Sequence, residues 1–305
     1  MSSPLTRAQL DDLRSALVEW FDANSRDLPW RAPGTSAYGV LVSEVMSQQT
    51  PVSRVAPRWV EWMQTWPTPK DLAQAPTALV LRAWGTLGYP RRALRLQECA
   101  QEICQSYGGV VPDDVETLKK LPGIGDYTAA AIASFHYGQA VVAIDTNVRR
   151  VAHRALGGRL ICPRPAAADR QLVEQFMPAP GDPLGPRLPV ALMELGALVC
   201  VARTPKCQQC PITQWCAWQR QGCPPPQPEE IADAKRRVQK FAGTDRQCRG
   251  RIMAALREHP TGWRLADVAW PNEQQKLQCA ASLLSDGLAE QVDGLWFLAG
   301  EAPTD

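Results

Sequence analysis

Cys200-Val201-Ala202-Arg203-Thr204-Pro205-Lys206-Cys207-Gln208-Gln209-Cys210-Pro211-Ile212-Thr213-Gln214-Trp215-Cys216 is the stretch from which the fold of this 305-residue chain is read. Its four cysteines are spaced C-x6-C-x2-C-x5-C, so four thiolates gather within 17 residues and are placed to hold a metal centre. The spacing lacks the two close pairs of zinc ribbons and fingers. A 4Fe-4S cluster fits better, because cysteine ligation of a cluster tolerates one wide gap within a tight loop. On spacing alone zinc stays open as the alternative. Arg203 and Lys206 put two cations at the tip of the first loop, either to meet a phosphate or only to solvate the loop.

Upstream of this loop the first 222 residues are dominated by helical periodicity, opening with Leu10, Leu13, Leu17, Trp20 and Phe21 on one helix face. Short Pro and Gly breaks at Pro29, Pro67, Pro69, Gly108-Gly109, Pro122-Gly123, Gly157-Gly158 and Pro178 to Pro186 cut the chain into helices of ordinary length. An all-α domain over residues 1–222 is expected. Downstream, Cys223-Pro224-Pro225-Pro226-Gln227-Pro228 is a stiff break that opens a Pro-rich and basic linker over 223–244. The remaining 245–305 read as a small separate module: helices near Arg246 to Glu258, Leu265 to Trp270 and Glu273 to Asp286. A hairpin over Glu290 to Phe297, turning on Asp293-Gly294, follows them. Three helices and a hairpin suggest a winged-helix-like fold.

The formal net charge of +2 identifies no partner by itself, but Lys235 to Arg251 carries seven basic residues against Asp245 alone. That stretch reads either as a DNA-facing arm or as a solvated linker. The other six cysteines lack framework spacing, and no run of about 18 apolar residues occurs, so a cytoplasmic protein with reduced thiols is expected.

Three segments of the helical part carry candidate chemistry. Leu118 to Ala133 reads L-K-K-L-P-G-I-G-D-Y-T-A-A-A-I-A, in which Gly123 and Gly125 allow positive φ and outward-facing amides ahead of a helix N-terminus. This is a cradle for one DNA phosphate, or an ordinary helix-helix turn. The apolar run Val141 to Ile144 delivers Asp145 to the start of a helix beginning Thr146-Asn147, where an N-cap would be the bland reading. Glu44 shares a helix face with Val40 and Leu41, and a carboxyl on an apolar face is expected to hold its proton nearer neutral pH, unless local hydrogen bonds satisfy it.

Taken in order, Leu28-Pro29-Trp30-Arg31, Ser43 to Met46 with Gln48-Gln49-Thr50, Leu87-Gly88-Tyr89, Leu121 to Gly125, Asp145 to Val148, and Met193 to Gly196 leading into the cysteines resemble the helix-hairpin-helix DNA glycosylases with an iron-sulfur loop. Within them the resemblance is to the MutY family of adenine DNA glycosylases. It implies a bilobal helical fold, a 4Fe-4S cluster on Cys200, Cys207, Cys210 and Cys216, and a monomer acting on double-stranded DNA with a mispaired adenine. The duplex is bent and the adenine is flipped into a cleft between lobes, because a stacked purine hides its glycosidic bond.

By the same resemblance Glu44 is the general acid on the adenine ring and Asp145 the carboxylate that stabilises the oxocarbenium-like sugar, with Asn147 and Tyr127 orienting it. Tyr127 stands where bifunctional relatives carry a lysine, and a phenol forms no imine, so a mainly monofunctional enzyme is expected. Trp30 and Arg31 line the base pocket and Tyr89 wedges into the stack. Gln48, with Gln49 and Thr50, probes the gap left by the flipped base. Arg91, Arg92, Arg149, Arg150, Arg203 and Lys206 are expected phosphate contacts.

Ser47 stands where the family has a bulky aliphatic, and Pro90 where a second Tyr is usual. The roughly 60 residues from Thr244 onward are too few for the nucleotide-hydrolase-like domain that reads 8-oxoguanine in many members. Two rivals stay in view: a thymine or uracil mismatch glycosylase of the same superfamily, and a non-catalytic iron-sulfur DNA-binding protein.

Overall fold

The structure is a computed structural model that describes residues 4–236 and 241–303; residues 237–240 of the basic stretch lie outside these. The chain forms two compact units. One comprises Met1–Leu28, Asp113–Lys119 and Ile124–Val238, the other Pro29–Pro112, Lys120–Gly123 and Gln239–Asp305. Among the described residues both are built of helices, apart from one two-stranded sheet.

The first unit is organised on its opening helix, Arg7–Asn24. Thr6 starts it with a capping box: its hydroxyl accepts from the Gln9 amide, and the Gln9 side chain accepts from the Thr6 amide. The expected apolar stripe is the buried one, with Leu13 and Leu17 fully enclosed and Trp20 and Phe21 packed at its margin. Their partners come from Thr146–Ala155 (Val148, Val151, Ala152) and Leu188–Leu198 (Leu188, Leu192, Leu195), with Phe176 between. Two buried charges lock the arrangement. Arg14 donates to the carbonyls of Phe176 and Met177 at 2.8 and 2.7 Å, and the fully buried Glu194 accepts from Arg26 through both oxygens at 2.8 Å.

A close helix approach requires glycine at 196. A Cβ there would lie 2.7 Å from the Asn147 Cβ and 2.9 Å from its carbonyl oxygen. Met193-Glu194-Leu195-Gly196 is therefore a packing motif as much as an approach to the cysteines.

In the second unit Ala37–Ser47, Val52–Thr65, Thr77–Trp84 and Arg91–Ser106 enclose Leu41, Met46, Trp62, Trp84, Leu96 and Ile103. The C-terminal module belongs to this unit and contains Asp245–Glu258, Glu273–Ser285 and the antiparallel strands Ala289–Val292 and Leu295–Leu298. Asp293 and Gly294 both take positive φ (50° and 78°), the tight hairpin turn expected of an Asp-Gly pair. The helix expected over Leu265 to Trp270 shrinks to a 3-10 turn, Leu265–Asp267. Pro271 disfavours helical backbone at Trp270, and Trp263 is drawn into a β-bridge with Trp296. Arg82 holds the module through Glu301 at 2.6 Å to each carboxylate oxygen, and Arg91 meets Asp286 at 3.3 Å.

Candidate functional site

Asp145 follows the irregular segment whose Val142 and Ala143 are buried, and it is the N-cap of Thr146–Ala155. One carboxylate oxygen accepts from the Val148 amide at 2.7 Å and the other from the Asn147 side-chain amide at 2.6 Å. The N-cap reading therefore holds, and the same two donors fix the orientation of the carboxylate. Burial pushes the Asp145 carboxyl above its ordinary value. The Val148 and Asn147 donors and the Arg150 charge work against that, stabilising the anion.

Asn147 is itself held. Its side-chain oxygen accepts from Arg150 at 2.7 Å, and Arg150 also donates to the carbonyls of Gly196 at 2.6 Å and Cys200 at 2.7 Å. A continuous chain of hydrogen bonds thus runs from the first cysteine of the loop to Asp145. Tyr127, on Asp126–Phe135, places its hydroxyl 4.0 Å from the Met193 sulfur.

Glu44 lies on Ala37–Ser47, whose first ten residues are all buried; Ser36 caps that helix by accepting from the Gly39 amide. Glu44 is 8 % exposed. Its helix ends at Gln48, and Gln49 takes a left-handed φ of 55°. Arg92 fixes this corner, donating to the carbonyls of Val45 and Gln48 and to those of Leu87 and Gly88. Thr50 joins in, accepting from Arg92 and donating to the Leu87 carbonyl at 3.0 Å. Trp30, in the turn Pro29–Arg31, packs edge-on to Trp59 with centroids 6.0 Å apart.

In the hairpin Gly123 has φ +78°, and a Cβ there would meet the Arg95 Cβ at 2.9 Å, so glycine is required twice over. Gly125 corrects the expectation of a second positive φ. It is extended at φ −99°, ψ −179° and serves as the N-cap of Asp126–Phe135.

The basic residues divide sharply. Arg203, Lys206 and Arg91 are exposed. Arg149, Arg150 and Arg92, expected at phosphates, are turned inward. Arg149 is paired with Asp169 at 2.7 Å with its side chain 11 % exposed, in a cluster where hydrogen bonds hold the Asp169 carboxyl down at about 2 against the effect of burial. Arg92 loses hydration on burial and falls to about 10.

Cys200, Cys207, Cys210 and Cys216 line one cavity, with Arg154 and Trp218 in its wall. Two 3-10 turns, Cys207–Gln209 and Thr213–Trp215, present the last three thiols, and the Ile212 amide donates to Cys210. Burial and then mutual repulsion push Cys210 up to about 12, and a bound cationic centre would hold the four sulfurs as thiolates. Arg154, which sequence reasoning missed, donates to the Cys200 sulfur at 3.4 Å and to the carbonyls of Val201 and Ala202 at 2.8 and 2.9 Å. Its signal was present: Asn147, Arg150 and Arg154 recur at helical spacing on one face.

Comparison with known proteins follows the same lines. Residues 42–176 match the HhH-GPD superfamily of base excision DNA repair proteins, and residues 200–216 match the iron-sulfur binding domain of endonuclease III. The chain thus carries a 4Fe-4S cluster domain. Among solved structures, a thermostable thymine-DNA glycosylase superposes with TM-score 0.62 at 24% identity, covering 70% of this chain and 98% of that one. A trapped endonuclease III-DNA covalent intermediate superposes with TM-score 0.59 at 22% identity, covering 72% and 100%; these establish the fold.

Closer in sequence is the adenine DNA glycosylase of Homo sapiens, 43% identical over 223 residues and covering 68% of this chain but 40% of the human protein. The adenine DNA glycosylase of Mycolicibacterium smegmatis is 50% identical over 292 residues, 94% of this chain and 96% of the relative. With a match of that depth along nearly its whole length, the chain belongs to the adenine DNA glycosylase family of DNA-binding base excision repair enzymes.

Proposed function

We propose that the protein excises adenine paired opposite 8-oxoguanine or guanine in duplex DNA, acting as a monomer and leaving an abasic site. The observation that carries this is Asp145 capped by Val148 and Asn147, in a chain 50% identical to an adenine DNA glycosylase over 94% of its length.

With the adenosine flipped out, Glu44 protonates the adenine ring, so that the base leaves with the electron pair of the breaking N-glycosidic bond. Asp145 faces the sugar, where positive charge develops. A carboxylate whose ionised form is held by two N–H donors stabilises that charge without reorganising at the moment of bond cleavage. Water then adds to the sugar and gives up a proton to Glu44, restoring the acid. Tyr127 supplies no amine, so the strand is left intact. Trp30 and Arg31 line the pocket for the base. Gln48, Gln49 and Thr50 meet the duplex where the base has left, and Tyr89 enters the stack. Gly123 and Gly125 turn hairpin amides to a phosphate, while Arg91, Arg203 and Lys206 grip the backbone. Cys200, Cys207, Cys210 and Cys216 hold the cluster, which when bound cross-links the 200–216 loop; bond cleavage itself needs no electron transfer.

The test is single-turnover base release from duplexes carrying A opposite 8-oxoguanine, A opposite guanine and T opposite guanine. Adenine release that falls by about 10²-fold or more in both Glu44→Gln and Asp145→Asn is expected. Release of thymine alone, or adenine release indifferent to both substitutions, would defeat the reading.

A further inference from the structure

Tyr89 sits on an unusual piece of backbone. Gly88 (φ +84°) and Tyr89 itself (φ +48°) are both left-handed, and Pro90 caps Arg91–Ser106 immediately after. A non-glycine residue in that region is held there by its surroundings. Part of the hold is Arg92, whose guanidinium carbon lies 5.6 Å from the Tyr89 ring centroid while its two terminal nitrogens donate to the carbonyls of Leu87, Gly88 and Gln48.

The other part comes from the C-terminal module. Arg246, in the first turn of Asp245–Glu258, places its guanidinium carbon 4.4 Å from the Tyr89 centroid and 5.5 Å from that of Phe241. This is the closer of the two cations on Tyr89. Arg246 is exposed, and among the described residues it has no carboxylate partner. Its neighbours are committed: Arg249 is paired with Asp286 at 2.5 Å, and Arg251 lies over Trp270. The helix that carries Arg246 is fixed, since Arg82 also donates to the Arg257 carbonyl at its other end. A cation presented by an anchored helix, stacked on an exposed aromatic and without an acid to neutralise it, has its planar N–H edge available for an anion. Gln48, Arg91 and Gly123, each expected to touch the duplex, line a single cavity in the same unit.

We propose that Arg246 is a positioning residue for Tyr89, and that through it the C-terminal module takes part in binding the duplex at the mispair. This rests on the reading of Tyr89 as the residue that enters the stack. The guanidinium holds the ring at the angle for insertion, and its outer N–H groups meet a DNA phosphate beside the inserted ring. The module thereby makes a contact of its own with the DNA.

The experiment is a double-mutant cycle on the full-length holoprotein: unchanged, Tyr89→Ala, Arg246→Ala and both together. The probe is a duplex holding 2′-fluoroadenosine opposite 8-oxoguanine, which resists cleavage, titrated at several salt concentrations. A 2-aminopurine beside the mispair reports unstacking. Arg246→Ala is expected to weaken binding about 3- to 30-fold, to lower the salt slope by about one, and to reduce the 2-aminopurine signal. The double variant is expected to lose less than the sum of the two single losses, because the positioning part is shared, while the phosphate contact leaves it weaker than Tyr89→Ala alone. Arg246→Lys, which keeps the charge without the planar stack, is expected to restore the salt slope and not the signal; it also serves if the alanine variant melts early. Strictly additive losses, or full binding by Arg246→Ala beside impaired Tyr89→Ala, overturn this proposal and leave adenine excision standing. Full binding by Tyr89→Ala overturns the wedge reading of Tyr89 and this proposal with it.

Discussion

Asn147 is a single side chain that links Asp145, the carboxylate proposed to face the sugar, to the helix behind it. Its amide stabilises ionised Asp145, and its oxygen takes a hydrogen bond from Arg150. Asn147→Ala is expected to lower the single-turnover rate about 10²-fold and to displace the acid limb of the pH-rate profile towards higher pH. The sign follows from the ionised carboxylate being the active form. Burial already raises the Asp145 pKa, and removing a donor that favours the anion raises it further, so more alkaline solution is needed to ionise it. A slower enzyme with an unmoved acid limb would contradict this. At this scale the sequence was legible wherever a residue's role is local. Asp145 as a helix cap, Gly123 at positive φ and the Asp293-Gly294 turn depend on neighbours within a few positions. Gly125 was misjudged because two glycines in one motif look alike until the next helix selects one as its cap. The inward turn of Arg149 and Arg150 was not legible because three of their acceptors, Asp169, Gly196 and Cys200, lie 20 to 50 residues away.

Among elements, the crossing of Thr146–Ala155 with Leu188–Leu198 is the one that sets the position of Asn147. Because Gly196 lies against Asn147, one added methyl should do two things together. Gly196→Ala is expected to destabilise the fold by about 1–3 kcal/mol, seen in thermal melting, and to slow base release out of proportion to that loss. Alanine tolerated on both measures would show that the helices shift apart without moving Asn147. Helix positions were readable from periodicity, since Leu13 and Leu17 announce a buried face. The shrinkage of the Leu265 helix was not, because the Trp263 to Trp296 bridge that competes with it joins residues far apart in sequence.

For the whole molecule, the attachment of the C-terminal module is the feature least visible from sequence. A proline-rich break and a change of pattern suggested a free-standing piece, whereas Arg82 and Glu301 join segments 219 residues apart. Both are largely buried, with side chains 22 % and 16 % exposed, so the pair is worth more than a surface contact. Arg82→Ala is expected to cost about 1.5–3 kcal/mol and to expose the module to limited proteolysis before the rest of its unit. Cleavage no faster than in the unchanged protein would show that the remaining contacts suffice.

The chain's division between units also dictates the timetable of its birth. Residues 29–112 form a continuous run of the second unit, but the first helix, Arg7–Asn24, must wait for partners as distant as Leu192 and Leu195. At ribosomal speeds of roughly 5–20 residues per second, Leu13 and Leu17 remain uncovered for about 10–35 s after they emerge. During nascent-chain growth the opening helix is thus an oily surface in search of cover.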